Sequence, residues 1–324
     1  MKAMLVDENK NLVWSDVADP VIKEDEVLVK IYAAALNRAD LLQRQGTYPS
    51  PAGCPEWMGL EVAGVIVEKG PKVVNWEIGD KVCALLGGGG YAEYVAVKYD
   101  MLMPIPKGLS MAEAASLPEA YATSYLNLFI EGHLEAGQTA FVPAGASGLA
   151  SVAIPMAKAF GARVITTVRS QKKAEAIGHL QADLVVDTSK EDIVEVLKQQ
   201  LAEGHSVDVA IDCLGGEIMG KCVHYLTHGA RWIMIAALAG TQTQIDLKNI
   251  YVRNVRIIGS TLRSRHPAVK AQILKELVEK VWPLVESGTV KPTIYKVLPI
   301  TEAEAAHDLL YKSESVGKVV LKVR

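Results

Sequence analysis

A chain of 324 residues, half of them apolar and 22% charged, is longer than one core ordinarily supports, so two domains are expected. Its net charge of −3, from 34 basic and 37 acidic residues interspersed along the chain, argues against a nucleic-acid surface and against a polybasic membrane anchor. No apolar run reaches bilayer length and no charged leader precedes a small-residue cleavage site, so no membrane association and a cytoplasmic location are expected.

From Met1 to about Leu117 the chain offers short strand patterns: MKAMLV, EVLVKIYAAAL, LEVAGVIVEKG, GDKVCALL and YAEYVAV. Glycines and Pro20, Pro49, Pro51, Pro55 and Pro71 punctuate them, which predicts a mostly β unit. If the stretch around Asp40 and Arg44 is helical, the two lie one turn apart and read as an ion pair within the domain. Cys54, Cys83, Cys213 and Cys222 form no CxxC pair and no cluster, so neither a zinc lobe nor a disulfide framework is indicated, and buried or inert thiols are expected. The seven histidines, His133, His179, His205, His224, His228, His266 and His307, show no paired spacing and read as surface or capping residues.

From about Glu119 to Leu262 strand patterns alternate with helical ones, which calls for a parallel sheet with helices on both faces. Residues 138–142 predict a strand, Gly145 and Gly148 a sharp turn that lets backbone approach a pyrophosphate, and Leu149 onward a helix whose free N–H groups face the anion. Ala150 stands where a further glycine is common, and Pro155 inside the helix predicts a kink. A second strand runs from Arg163 to Val168. At its end, about 20 residues past the turn, a cofactor without a 2′-phosphate would meet Asp or Glu. Arg169, Ser170, Gln171, Lys172 and Lys173 stand there instead, three cations and a hydroxyl suited to a 2′-phosphate, which predicts NADPH as cofactor. The patterns DLVVD, VDVAIDCLGG, RWIMIAAL and VRIIGSTL supply the remaining strands. The last of these lies near the sheet end, where an open edge needs covering, so pairing with a second copy in a homodimer is expected.

After Arg265 an amphipathic helix over 267–286, the strand IYKVLPI, a helix from near Thr301 and the strand GKVVLKV predict a tail that returns to the first domain. The fold class is thus α/β, with residues 1–118 plus 265–324 forming the mostly β domain and residues 119–264 inserted as the doubly wound, dinucleotide-binding domain.

The succession NRADLLQRQGTYP, GLEVAGVI, GDKVCALLGGGGYAEYV, PEAYATSY, GASGLA, VRSQKK and LRSR, in this order and spacing, resembles the zinc-free quinone oxidoreductase branch of the medium-chain dehydrogenase/reductase superfamily. It is especially similar to the stress-inducible NADPH:quinone oxidoreductase subgroup related to zeta-crystallin. The resemblance covers essentially the whole chain. It implies a split GroES-like catalytic domain around a Rossmann domain, with cofactor and substrate in the cleft between them. Catalytic-zinc relatives carry a cysteine in the loop after the strand ending at Ala35 and a His-Glu pair where this chain has Leu60-Glu61. Here Asn37-Arg38-Ala39-Asp40 fills the loop and Leu60 the histidine position, so no metal is expected.

Without a Lewis acid, the expected acceptor is a quinone or conjugated enone, which delocalises incoming electrons itself. The resemblance assigns Asn37 and Tyr48 as hydrogen-bonding groups at the acceptor oxygen. Tyr48 lies in the turn Gly46-Thr47-Tyr48-Pro49 and reads equally as a rim residue that only packs. The resemblance also assigns Thr123 to the nicotinamide carboxamide, Ser147, Gly148 and Leu149 to the pyrophosphate, Ser170 and Lys172 to the adenosine phosphate, and residues 236–240 from Ala236, with Leu262, to the nicotinamide side. A tyrosine that often stacks on adenine is replaced by Asp187-Thr188-Ser189. Two other readings stay open: a 2-enoyl thioester reductase of the same architecture, and an NADPH-binding protein with little turnover. Nucleic-acid binding is the weaker choice, since no interleaved basic and aromatic motif is present.

Overall fold

The computed structural model describes every residue from Met1 to Arg324. Two units emerge: one from residues 1–122, 263–288 and 292–324, the other from residues 123–262 and 289–291. In the first, β1 (Lys2–Val6) and β2 (Leu12–Asp16) pair antiparallel. Asp7 closes their turn by accepting from the amides of Asn9 and Asn11. The central strand β3 (Glu26–Ala35) alternates: Val27, Val29 and Ile31 are buried while the residues between them are only partly so. Then follow α1 (Arg38–Gln45), ended by Gly46 in the left-handed region at φ 85°, and β4 (Glu61–Lys69). Gly64 in β4 has no alternative, because a Cβ there would lie 2.1 Å from the Lys30 carbonyl oxygen of β3. Strands β5 (Lys81–Leu85), β6 (Tyr94–Lys98) and β7 (Leu102–Pro104) and helices α2 (Met111–Ala115) and α3 (Pro118–Tyr125) complete this part.

The second unit is built from β8 (Thr139–Val142), α4 (Ala150–Ala159), β9 (Arg163–Val168), α5 (Gln171–Ala176), β10 (Leu184–Asp187), α6 (Ile193–Ala202), β11 (Val207–Asp212), α7 (Gly216–Cys222), β12 (Leu226–Met234), α8 (Leu247–Val252) and β13 (Arg256–Gly259). Its six strands lie in the order β10-β9-β8-β11-β12-β13 and all pair parallel. Counted within the unit this is 3-2-1-4-5-6, the doubly wound Rossmann arrangement, whose direction of winding reverses between β8 and β11. Phe141, Ile165, Val186, Leu197, Ala210 and Trp232 fill the core. The Trp232 indole finds its acceptor in buried Asp212, 2.9 Å away. Helix α4 runs through Pro155 without interruption, and β13 is the outer strand of the sheet.

The chain then returns to the first unit through α9 (Pro267–Lys280), α10 (Trp282–Glu286), β14 (Ile294–Pro299), α11 (Ala303–Tyr311) and β15 (Lys318–Lys322). Strand β15 pairs antiparallel with β3 and parallel with β14, so the tail extends the sheet β14-β15-β3-β4-β5-β7, with β6 also on β3. The fold is the expected α/β combination of a GroES-like unit and an inserted Rossmann unit. Two details differ from the sequence reading. The helix expected over 267–286 breaks at Val281, where Pro283 has no N–H to continue the ladder. Strands β2 and β7 are additional; each is short, of five and three residues.

Candidate functional site

The expected cofactor residues of the Rossmann unit gather at the carboxyl edge of its sheet. Gly145, Ser147, Gly148 and Leu149 follow β8; Arg169, Ser170, Lys172 and Lys173 follow β9; Ala236 follows β12 and Leu262 follows β13. Ligands of open α/β sheets bind at this edge, beside the point where winding reverses. The turn after β8 is built differently from the sequence reading. Its left-handed residue is Ala144, at φ 57°, not a glycine. Gly145 is needed for closeness instead: a Cβ there would lie 2.5 Å from the Thr166 hydroxyl. Its amide donates to the Thr167 carbonyl at 2.8 Å, while the Ala144 amide donates to the Thr167 hydroxyl, so β9 fixes the turn. Ser147 accepts from the Ala150 amide, Ser151 donates to the Gly148 carbonyl, and half-buried Ser147, Gly148 and Leu149 head the ten-residue helix α4, where the first amides have no acceptor in the helix.

At the end of β9, Ser170 caps α5 by accepting from the Lys173 amide. Arg169 and Lys172 are exposed, and burial together with the nearby Arg169 charge lowers the Lys173 ammonium below its usual range. Lys190 also reaches this helix, donating to Gln171 Oε1 at 3.2 Å. Asp187, at the end of the third strand, is turned into its own loop. Its Oδ1 is taken by the amide and hydroxyl of Ser189, and its side chain is buried. Ala236 lines an open hollow of about 350 Å³ with Met234, Ala237, Gly259 and Ser260 among its walls, whereas Leu262 is buried at 5% exposure. Thr123 lies on α3, where its carbonyl accepts from Asn127 at 2.7 Å.

In the GroES-like unit the structure reorganises the expected acceptor residues. Asn37 is engaged within the unit: its Nδ2 donates to Glu61 Oε1 at 2.9 Å and its Oδ1 accepts from Lys318 Nζ at 2.8 Å. Glu61 is fully buried, pairs with Lys318 at 2.6 Å, and accepts from the Glu119 amide on its other oxygen. Lys318 completes its shell on the Leu36 carbonyl at 2.7 Å. The expected ion pair of Asp40 with Arg44 is also corrected. Arg44 pairs with Glu304, while Asp40 points inward to the Asn37 amide, the Gly59 amide and the Tyr91 hydroxyl. Gly59 can reach it because it crosses Gly90 so closely that a Cβ would lie 2.6 Å from Gly90 Cα. On the other side of Tyr91 packs His307, 1% exposed and edge-on at 6.0 Å, so this histidine is neither a surface nor a capping residue. Burial pushes its pKa down to about 3. His266 does cap, accepting from the Ala268 amide.

Tyr48 is half-buried, and burial raises its phenol above the usual range. The Arg263 guanidinium stands over its ring at 4.8 Å. Arg263 and Lys318 were not singled out as site residues by sequence. A lone charge within an apolar strand, Glu61 in LEVAGVIV against Lys318 in GKVVLKV, is the signal that could have found the buried pair.

Comparison with known proteins agrees with this arrangement. Residues 23–107 match the family model described as "Alcohol dehydrogenase GroES-like domain", and residues 148–279 the one described as "Zinc-binding dehydrogenase". The chain is 31% identical to the quinone oxidoreductase-like protein 2 homolog of Nematostella vectensis, across 83% of this chain and 76% of that protein. It is 32% identical to the chloroplastic NADPH-dependent alkenal/one oxidoreductase of Arabidopsis thaliana, across 83% of this chain and 68% of the relative. The crystal structure of an NAD-dependent alcohol dehydrogenase superposes over the full length of both chains with a TM-score of 0.87 at 29% identity. The zinc in the second model's description does not fit the residues here. Asn37 and Leu60 hold the positions expected of ligands, the Glu61 carboxylate is saturated by Lys318, Asn37 and the Glu119 amide, and no three His, Cys, Asp or Glu side chains converge.

Two outcomes are expected. Lys318→Met should leave the Glu61 carboxylate buried without its cation and cost about 3–5 kcal/mol in urea unfolding, whereas an unchanged midpoint would show the pair to be dispensable. Burial lifts the Asp40 carboxyl to about 6 against its hydrogen bonds, so the folded chain holds this proton more tightly than the unfolded one. Its contribution is present below the ordinary carboxyl pKa and is lost as pH rises through about 6. Relative to Asp40→Asn, the wild-type chain should therefore lose on the order of 3 kcal/mol between about pH 4 and about pH 7. Unfolding both proteins across that range checks it, and a difference independent of pH would contradict the assignment.

Proposed function

Because this chain belongs to the zinc-free, quinone oxidoreductase-like branch of the medium-chain dehydrogenase/reductase superfamily, it is an oxidoreductase, and we propose that it carries hydride from NADPH to a quinone or a conjugated enone. The observation that carries the cofactor choice is the cluster Arg169, Ser170, Lys172 and Lys173 at the end of β9, where no carboxylate stands. Burial first, and the nearby Arg169 charge second, lower the Lys173 ammonium, and a dianionic phosphate beside it would offset both. The amides heading α4 and the Ser147 hydroxyl would hold the pyrophosphate. NADPH supplies the hydride; the chain's own task is to orient it and to meet the acceptor oxygen.

For that oxygen Tyr48 is the group we assign. Its raised pKa keeps the phenol protonated at neutral pH, so it offers a hydrogen bond and does not surrender its proton readily. Such a donor serves acceptors that spread the incoming charge through conjugation, and the name of the Arabidopsis relative, an alkenal/one oxidoreductase, is consistent with that class. NADPH oxidation against ortho-quinones, para-quinones, enones and enoyl thioesters tests the reading: saturable turnover of quinones or enones supports it, and turnover of enoyl thioesters alone overturns it.

We also propose a homodimer through β13, the outer strand, beside which Tyr251 and Val252 are more than half exposed. Sedimentation should give the mass of two chains, and a concentration-independent monomer would contradict it. For the cofactor, each charge-assisted hydrogen bond to the phosphate contributes about 1.5–3 kcal/mol where shielded, and solvent screening at exposed Lys172 reduces that. Lys172→Ala should weaken NADPH severalfold or more and leave NADH nearly unchanged in fluorescence titration; equal losses for both would count against the phosphate contact.

A further inference from the structure

Arg263 is the residue at which the chain re-enters the GroES-like unit after Leu262, and it is nearly enclosed, at 7% exposure. None of its hydrogen bonds goes to a carboxylate. Nε and Nη2 both donate to the Gly87 carbonyl, at 2.8 and 2.6 Å, and Nη2 also meets Gln43 Oε1 at 2.9 Å and Ser50 Oγ at 3.4 Å. Nη1 donates to the Tyr48 carbonyl at 3.4 Å, and the guanidinium carbon lies 4.8 Å from the centre of the Tyr48 ring. Gln43 continues the web, donating to Ser50 Oγ and to the Glu56 carbonyl. Gly87 permits it, because a Cβ there would lie 2.5 Å from Cys54 Sγ. One planar cation thus fastens the segment 43–50 to the first residue of the glycine run 87–90.

The guanidinium donates only to neutral oxygens and stands over the Tyr48 ring, so its charge acts on the phenol, with the Glu119 carboxylate acting in the opposite sense. Burial makes the phenol a weaker acid, and the guanidinium acts in the opposite sense. We propose that Arg263 is the positioning residue of acceptor reduction: it fixes the Tyr48 ring and strengthens the phenol as a hydrogen-bond donor to the oxygen on which charge builds. This rests on the assignment of Tyr48 to the acceptor oxygen. A guanidinium that served only to hold the fold would not discriminate between a tyrosine and a phenylalanine at position 48, and a guanidinium acting through the phenol does.

The test combines Arg263→Met, Arg263→Lys and Tyr48→Phe with the two double variants, using 1,4-naphthoquinone as acceptor. Arg263→Met should lower kcat about tenfold when Tyr48 is present and less than twofold in the Tyr48→Phe background, with KM for NADPH within twofold throughout. Arg263→Lys keeps a cation but not the fork, and should give a smaller loss in the same direction; it is the variant to read if Arg263→Met does not fold. Amide exchange over residues 43–50 should quicken in both, independently of turnover. Equal losses of kcat in the two backgrounds, or exchange unchanged from wild type, overturn the proposal while leaving the acceptor assignment intact. A wild-type chain that turns over quinone with Tyr48→Phe silent overturns the assignment of Tyr48, and the proposal with it.

Discussion

The buried contact between Glu61 and Lys318 is the constraint on which the GroES-like unit turns. Each ion alone would cost several kcal/mol to remove from water, so the arrangement exists only because its remaining valences are filled together. The carboxylate takes Lys318, Asn37 and the Glu119 amide; the ammonium takes Glu61, Asn37 and the Leu36 carbonyl. Through those bonds β4, the loop before α1, the first turn of α3 and the C-terminal strand β15 are held in one register. The tail strand β15 is therefore fixed beside β3 by a buried ion pair as well as by its backbone ladder.

A second buried group works beside it by different physics. Asp40 has no cation in contact, and its three donors, two backbone amides and the Tyr91 hydroxyl, offset desolvation only partly. The result is a carboxyl that titrates near 6, facing a tyrosine whose far side touches a histidine held neutral by burial. The first group, Glu61 with its cation, stabilises a register, and the second, Asp40 without one, makes stability depend on pH.

In the Rossmann unit the governing feature is closeness of backbone to side chain. Thr166 and Thr167 of β9 crowd against the turn after β8, so that Gly145 must lack a side chain, and a left-handed alanine at 144 makes the bend. The same strand ends in the basic stretch. One strand therefore shapes both the turn after β8 and the basic stretch that we propose for the cofactor phosphate.

What the sequence by itself determined was what depends on neighbours along the chain. Alternation of strand and helix patterns from 119 to 262 specified a parallel sheet, the Gly145–Leu149 turn marked its carboxyl edge, and the cations at 169–173 stood where an acid would otherwise be read; all of this is local periodicity and spacing. The tertiary structure decided the partners. Asn37 bridges Glu61 and Lys318, the latter 281 residues away, and Asp40 looked paired to Arg44 until Tyr91, 51 residues on, supplied a donor. Arg263 reached Gln43 across 220 residues of chain. A side chain's hydrogen-bond partner is set by strand register and by how closely glycines such as Gly59 and Gly87 let segments cross, and neither quantity is carried by the residue types around the side chain itself.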